Sequence, residues 1–111
     1  YLDMYDAPIY TYSLGKTFSM AFQILLKGDK RFAYANSMMM YHQGSNSLYG
    51  KTQDVKEDFQ EMERQEIQFE DMTMALTNIP QEKIDEVREK KINWFITPDE
   101  ALKYGIIDEI I

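Results

Sequence analysis

Gly15-Lys16-Thr17-Phe18-Ser19-Met20 runs directly into Ala21-Phe22-Gln23-Ile24-Leu25-Leu26, and the reading of these residues decides the fold. Before them, Ile9 to Leu14 is rich in β-branched and aromatic residues, which predicts a buried strand. Gly15 supplies the turn, and residues 19–27, apolar nearly all round, predict a central helix. Lys27 and Gly28 suit its C-terminus, a cation in the last turn with a glycine beyond it. A serine at such a strand-to-helix junction has two readings. It is an ordinary N-cap, or it is a nucleophile exposed on a sharp turn, beside N–H groups that a helix start leaves unpaired. The second reading finds a partner in His42, the one histidine of the chain, which closes the extended run Met38-Met39-Met40-Tyr41. A histidine there can serve as general base for the serine. On spacing alone the cap is the commoner outcome, and a lone histidine is more often a hydrogen-bonded structural residue.

Composition narrows the alternatives. The chain has 111 residues, enough for one domain, and its 44% hydrophobic and 14% aromatic content supports a real core. A net charge of −7 disfavours a nucleic-acid groove, which needs clustered Lys and Arg. There is no cysteine and only one histidine, with no H-E-x-x-H pattern, so neither a disulfide, a metal site nor a bound cofactor is expected. No apolar run approaches the ~20 residues that span a bilayer. Gly15-Lys16-Thr17 has the ending of a phosphate-binding loop, but that loop's first glycine would fall on Tyr10. Lys16 as a dyad partner of Ser19 is less natural than a solvent-facing turn lysine, and the eight methionines read as core and interface filler. The chain starts at Tyr1 with neither an initiator methionine nor a visible signal peptide, and a fragment is the expectation.

Several ordered motifs tip the balance toward the nucleophile. Gly15 to Met20 (G-x-x-x-S-M), Lys30 to Ser37 (K-R-F-x-x-x-N-S) and Met40-Tyr41-His42-Gln43 resemble the active-site core of the proteolytic subunit of the ATP-dependent Clp protease. The resemblance continues through Gly50 and Asp54 and resumes in Thr97-Pro98-Asp99-Glu100-Ala101 and Tyr104-Gly105-Ile106-Ile107-Asp108. It implies an α/β chain of crotonase-like architecture, with βα units and a protruding handle helix, lacking the family's N-terminal strands. A head over approximately 1–50 and 93–111 and a handle over approximately 51–92 would form a single domain. Tyr1 to Asp6 would be the end of the family's first long helix.

The resemblance also assigns roles. Ser19 would be the nucleophile, His42 the general base, and the backbone N–H of Met20 a donor to the oxyanion. Gln43, Gly44 and Ser45 would pair with a peptide substrate, although Gly44 stands where the family usually has proline and Asn46-Ser47 where it has a glycine pair. The family's third catalytic residue is an aspartate; matching Phe95 and the helix start at Pro98 to Ala101 puts Asn93 there, with Glu89 and Asp99 as fallback acids. Its implied activity is a serine endopeptidase acting on unfolded polypeptides, slow or partner-dependent. Implied partners are copies of itself in heptameric double rings, or a paralogue in a mixed ring, and an AAA+ unfoldase that binds the nucleotide; the implied setting is cytoplasmic. Two other readings stand beside it: a structural subunit with little activity, motivated by Asn93 and the altered loop, and an acyl-CoA enzyme of the same broad fold.

The rest of the chain reads in order. Asp29-Lys30 leads into Arg31 to Ala35, and Asn36-Ser37 marks a turn before the strand Met38 to Tyr41. Thr52 to Leu76 predicts a long acidic helix whose stripe Val55, Phe59, Met62, Phe69, Met72, Leu76 is interrupted by Glu66. Glu57, Asp58, Glu61, Glu63 and Glu70 fall on its other face, either simply solvated or flanking a stripe that seeks another subunit. Pro80 suits a first helical position, and Ile84 and Val87 give residues 81–91 a short apolar face. Thr97-Pro98-Asp99-Glu100 is a capping box opening a helix to Tyr104; Gly105 ends it, and Ile106-Ile107 is expected to begin a last strand.

Overall fold

The computed structural model describes residues 7–42 and 51–111. Two small three-stranded sheets are built from strand pairs that split between them. β1 (Tyr10–Ser13), β3 (Lys30–Ala33) and β6 (Glu109–Ile110) form one sheet in the order β1-β3-β6, all parallel. β2 (Lys16–Phe18), β4 (Met38–Tyr41) and β5 (Trp94–Ile96) form the other, with β2 parallel and β5 antiparallel to β4. Gly15, at φ 65°, turns the chain from β1 into β2, a left-handed conformation that glycine adopts without a Cβ penalty. Helix α1 (Met20–Leu26) then crosses back so that β3 returns parallel to β1. The architecture is the mixed α/β one expected.

Helices fill the remaining sides. α1 buries Phe22, Leu25 and Leu26 against Tyr41 and Met39 of β4. α2 (Thr52–Leu76) spans roughly 37 Å at 1.5 Å per residue. Only its C-terminal half, through Phe69, Met72 and Leu76, packs on the core. α3 (Gln81–Lys90) adds Ile84 and Val87, and α4 (Pro98–Lys103) opens on the Thr97–Glu100 capping box with Pro98 inside its first turn. Burying each such aliphatic or aromatic side chain contributes on the order of 1.5–3 kcal/mol, and residues of α1, β4 and α3 share one core cluster.

Two tethers join the parts. Arg31 donates to the last carbonyls of both long elements beside it, Leu76 O at 2.8 Å and Leu26 O at 3.4 Å, so one guanidinium closes the ends of α2 and α1. Thr11 Oγ1 donates to Leu25 O at 2.7 Å, and a Cβ on Gly28 would stand 2.2 Å from that same Oγ1. Gly28 is thus required by close approach of β1 to the helix end, beyond its place after a C-cap.

Several expectations are corrected. Lys16, expected as a solvent-facing turn residue, is exposed but begins a short strand, Lys16–Phe18, because β4 offers a parallel partner that local sequence does not reveal. The strand at residues 9–14 is not buried throughout: Tyr10, Tyr12 and Leu14 are exposed while Ser13 is buried. α1 is likewise one-sided, with Met20 and Ile24 exposed. Pro80 is the N-cap of α3 and not its first helical residue. Ile106 and Ile107 lie buried in the turn after Gly105, and the final strand starts only at Glu109.

The largest departure is Glu70, assigned to a solvated face but 6% exposed. Its carboxylate accepts from Arg88 Nη1 at 3.0 Å, and Arg88 also reaches Asp85, so α2 is locked to α3 by a charge that helical periodicity cannot foresee. Arg88→Met removes the cation from a buried carboxylate and is expected to lower the urea midpoint of unfolding, as breaking a partly solvated ion pair does. Urea unfolding of the variant checks this; an unchanged midpoint would show the pair to be an exposed one of little weight.

Candidate active site

Parallel pairing assembles the site. β2 and β4 align Lys16 with Met38 and Phe18 with Met40, so β2 ends one residue before β4 at the same edge of the sheet. The next residues out, Ser19 and His42, emerge at one edge of the sheet, at the carboxyl ends of parallel strands where α/β proteins gather reactive groups. Ser19 Oγ is hydrogen-bonded to His42 Nε2.

The backbone at Ser19 separates the two readings of that serine. It occupies the N-cap position of α1 at φ 53° and ψ −111°, yet its hydroxyl makes no capping bond. The first helical turn is held by the backbone alone, Gln23 N–H to Ser19 O at 3.1 Å. A non-glycine residue in this region costs on the order of 1–3 kcal/mol, and such outliers gather at functional sites. Met20 is the first residue of α1, so its own N–H has no partner within the helix.

β4 is firmly held behind the histidine. Tyr41 is fully buried, its ring stacked on Phe69 of α2 at 4.9 Å between centroids and edge-on to Phe22 and Trp94. Its hydroxyl is buried and meets no hydrogen-bond partner among the described residues. Burial, and then the nearby Glu70 carboxylate, push this phenol well above its ordinary range, so it stays neutral.

The third residue is less closely engaged. β5 pairs Trp94 with Tyr41, and continuing that antiparallel register by one residue sets Asn93 across from His42. Asn93 is exposed, and among the described residues no hydrogen bond joins it to the histidine. β5 runs from the level of Tyr41 to that of Met39, which carries Asp99 to the end of β4 away from His42. Glu89 is exposed near the end of α3, and neither acid hydrogen-bonds His42. Gln43, Gly44 and Ser45 lie outside the described residues.

Ser19 and His42 open into a cleft of about 260 Å³ between α1 and α2. Met20 and Gln23 line it from α1; Met62, Gln65, Glu66 and Phe69 line it from α2. These α2 residues were not foreseen as part of a site. The available signal was the break in the apolar stripe at Glu66. Among the described residues no group of three or more His, Cys, Asp or Glu side chains could hold a metal ion, and no helix is long and apolar enough to cross a membrane.

The whole chain, residues 1–111, matches the family described as Clp protease. It is 38% identical over 107 residues to the ATP-dependent Clp protease proteolytic subunit of Deinococcus radiodurans, covering 95% of this chain and 52% of that protein. Proteolytic subunit 3 of Rhodococcus jostii is 33% identical over 105 residues, covering 93% and 51%. Proteolytic subunit 2 of Chlamydia muridarum is 32% identical over 103 residues, covering 91% and 50%. The chain belongs to the Clp protease family, and it spans about half the length of these relatives.

Proposed function

We propose that the protein is a serine endopeptidase in which Ser19 attacks the peptide carbonyl, His42 moves the proton and Asn93 orients the histidine. The observation that carries this reading is the Ser19 hydroxyl, withdrawn from the capping role its position offers and hydrogen-bonded to His42 Nε2. Oγ bonds to the carbonyl carbon as its proton passes to Nε2, and the resulting oxyanion faces the backbone N–H of Met20. When the C–N bond breaks, the imidazolium returns that proton to the leaving amine. Water, deprotonated by the same nitrogen, then releases the acyl group from Ser19. For Nε2 to accept, Nδ1 must carry a hydrogen, and in this reading the Asn93 side-chain carbonyl accepts it; the pairing of the preceding strand residues, Trp94 with Tyr41, supports this. Asparagine can fix the tautomer but adds no negative charge, so the chemistry is slow by the standard of an aspartate triad.

The substrate in this reading is an unfolded polypeptide, and the working form is a ring. Residues 51–92 act as the handle through which two heptameric rings meet, as copies of this chain or with a paralogue, in the cytoplasm. Phe59 and Ile67 on α2 are exposed at 53% and 58%, which supports an unfinished interface there. An AAA+ partner supplies ATP hydrolysis and unfolding. A second reading, a structural subunit with little activity of its own, is favoured by one observation: no carboxylate hydrogen-bonds His42 among the described residues. Hydrolysis of a short fluorogenic peptide by the assembled full-length protein tests the first reading. Turnover that depends on Ser19 supports it; inert rings support the second.

A further inference from the structure

Among the described residues, Glu66 is the one acidic side chain that lines the cleft holding Ser19 and His42. It sits where the apolar stripe of α2 calls for a hydrophobic residue, one turn from Met62 on one side and from Phe69 on the other. The carboxylate is half-buried, and among the described residues no cation forms an ion pair with it. Arg88, which lines a neighbouring hollow together with Glu66, is bonded to Glu70 and Asp85. Burial, with repulsion from Glu70 and Glu63, raises the proton affinity of Glu66, so a positive charge brought into the cleft would relieve an existing penalty. The walls suit the carrier of such a charge. Met20, Met62 and Phe69 offer an apolar lining for an aliphatic stem, and Glu66 offers the counter-charge for its head.

We propose that Glu66 makes this cleft select a lysine or arginine at the residue whose carbonyl Ser19 attacks. The inference rests on the peptidase reading above, and it adds the class of side chain the site takes. Attack by Oγ, with the oxyanion toward Met20, holds the side chain of the acyl residue against the α1 wall of the cleft. Its stem lies between Met20 and the α2 residues Met62 and Phe69, and its cation meets the Glu66 carboxylate. A neutral isostere such as norleucine fills the same walls but leaves the carboxylate as it was.

Two fluorogenic peptides that differ only in lysine or norleucine at that residue test it on the full-length protein. The wild type is expected to favour lysine about tenfold in kcat/KM, the scale of a charge-assisted contact. Glu66→Gln should bring the ratio close to one, and Glu66→Lys should invert it. Binding of the same uncleaved peptides to Ser19→Ala protein, read by fluorescence anisotropy, should show the same preference with no chemistry involved. A wild-type ratio at or below one in both assays, or a preference that survives Glu66→Gln, overturns the role of Glu66. Hydrolysis without lysine preference removes only Glu66 selection, whereas lysine-selective binding without hydrolysis removes only the peptidase reading.

Discussion

Ser19→Ala is expected to abolish peptide hydrolysis by the full-length protein, a loss on the order of 10³-fold or more, with its thermal unfolding within a degree or two of wild type. The size follows from the chemistry: without Oγ there is no acyl-enzyme, and only binding and oxyanion stabilisation remain. The unchanged stability follows from the structure. The hydroxyl caps nothing, so its loss frees no helix N–H, and among the described residues its one hydrogen-bond partner is His42. An ordinary N-cap serine behaves in the opposite way, costing about 1 kcal/mol when replaced by alanine and leaving activity alone. The variant thus distinguishes the two readings that the sequence left open at this residue. Peptide hydrolysis and differential scanning calorimetry on the same sample provide both numbers.

Asn93→Asp is expected to raise kcat if the proposed triad holds. An aspartate across from His42 adds a negative charge facing the imidazolium that forms when Ser19 gives up its proton, which an amide cannot do. The reverse change, aspartate to asparagine in chymotrypsin-like enzymes, costs about 10⁴. A site adapted to asparagine already holds the productive tautomer, so the expected gain is smaller, about 10- to 100-fold. It should fall on kcat more than on KM, since the charge matters in the transition state. A steady-state comparison of the two proteins measures it. An unaltered or lowered kcat would show that Asn93 does not orient the histidine. It would also leave the structural-subunit reading stronger.

What could be read from the residues, and what could not, divides on range. The α2 boundaries, the strand Met38–Tyr41 and the Thr97–Glu100 capping box are written in local periodicity and cap chemistry, and the structure has them at the same residues. Ser19 and His42 came from motif order, and the hydrogen bond between them requires the β2–β4 register, which no local pattern contains. The strand Lys16–Phe18 went unread for the same reason: three residues make a strand only when a partner is present. Glu70 looked solvated because its cation arrives from α3, 18 residues further on. Tyr10 and Tyr12 have the composition of a buried strand yet stand exposed in this chain, so composition alone did not give their burial. Glu66 was visible as a fault in a stripe, but its meaning depends on which face of α2 lines the cleft with Ser19.

The central claim is that the Ser19 hydroxyl is a nucleophile activated by His42. Labelling the assembled full-length protein with a fluorophosphonate probe, followed by peptide mass spectrometry, tests this most directly because it needs neither the right substrate nor the right partner. The account predicts a single adduct on Ser19 that disappears in Ser19→Ala and falls at least about tenfold in rate in His42→Ala. An unlabelled Ser19 in assembled wild-type protein, or equally fast labelling without His42, would contradict it.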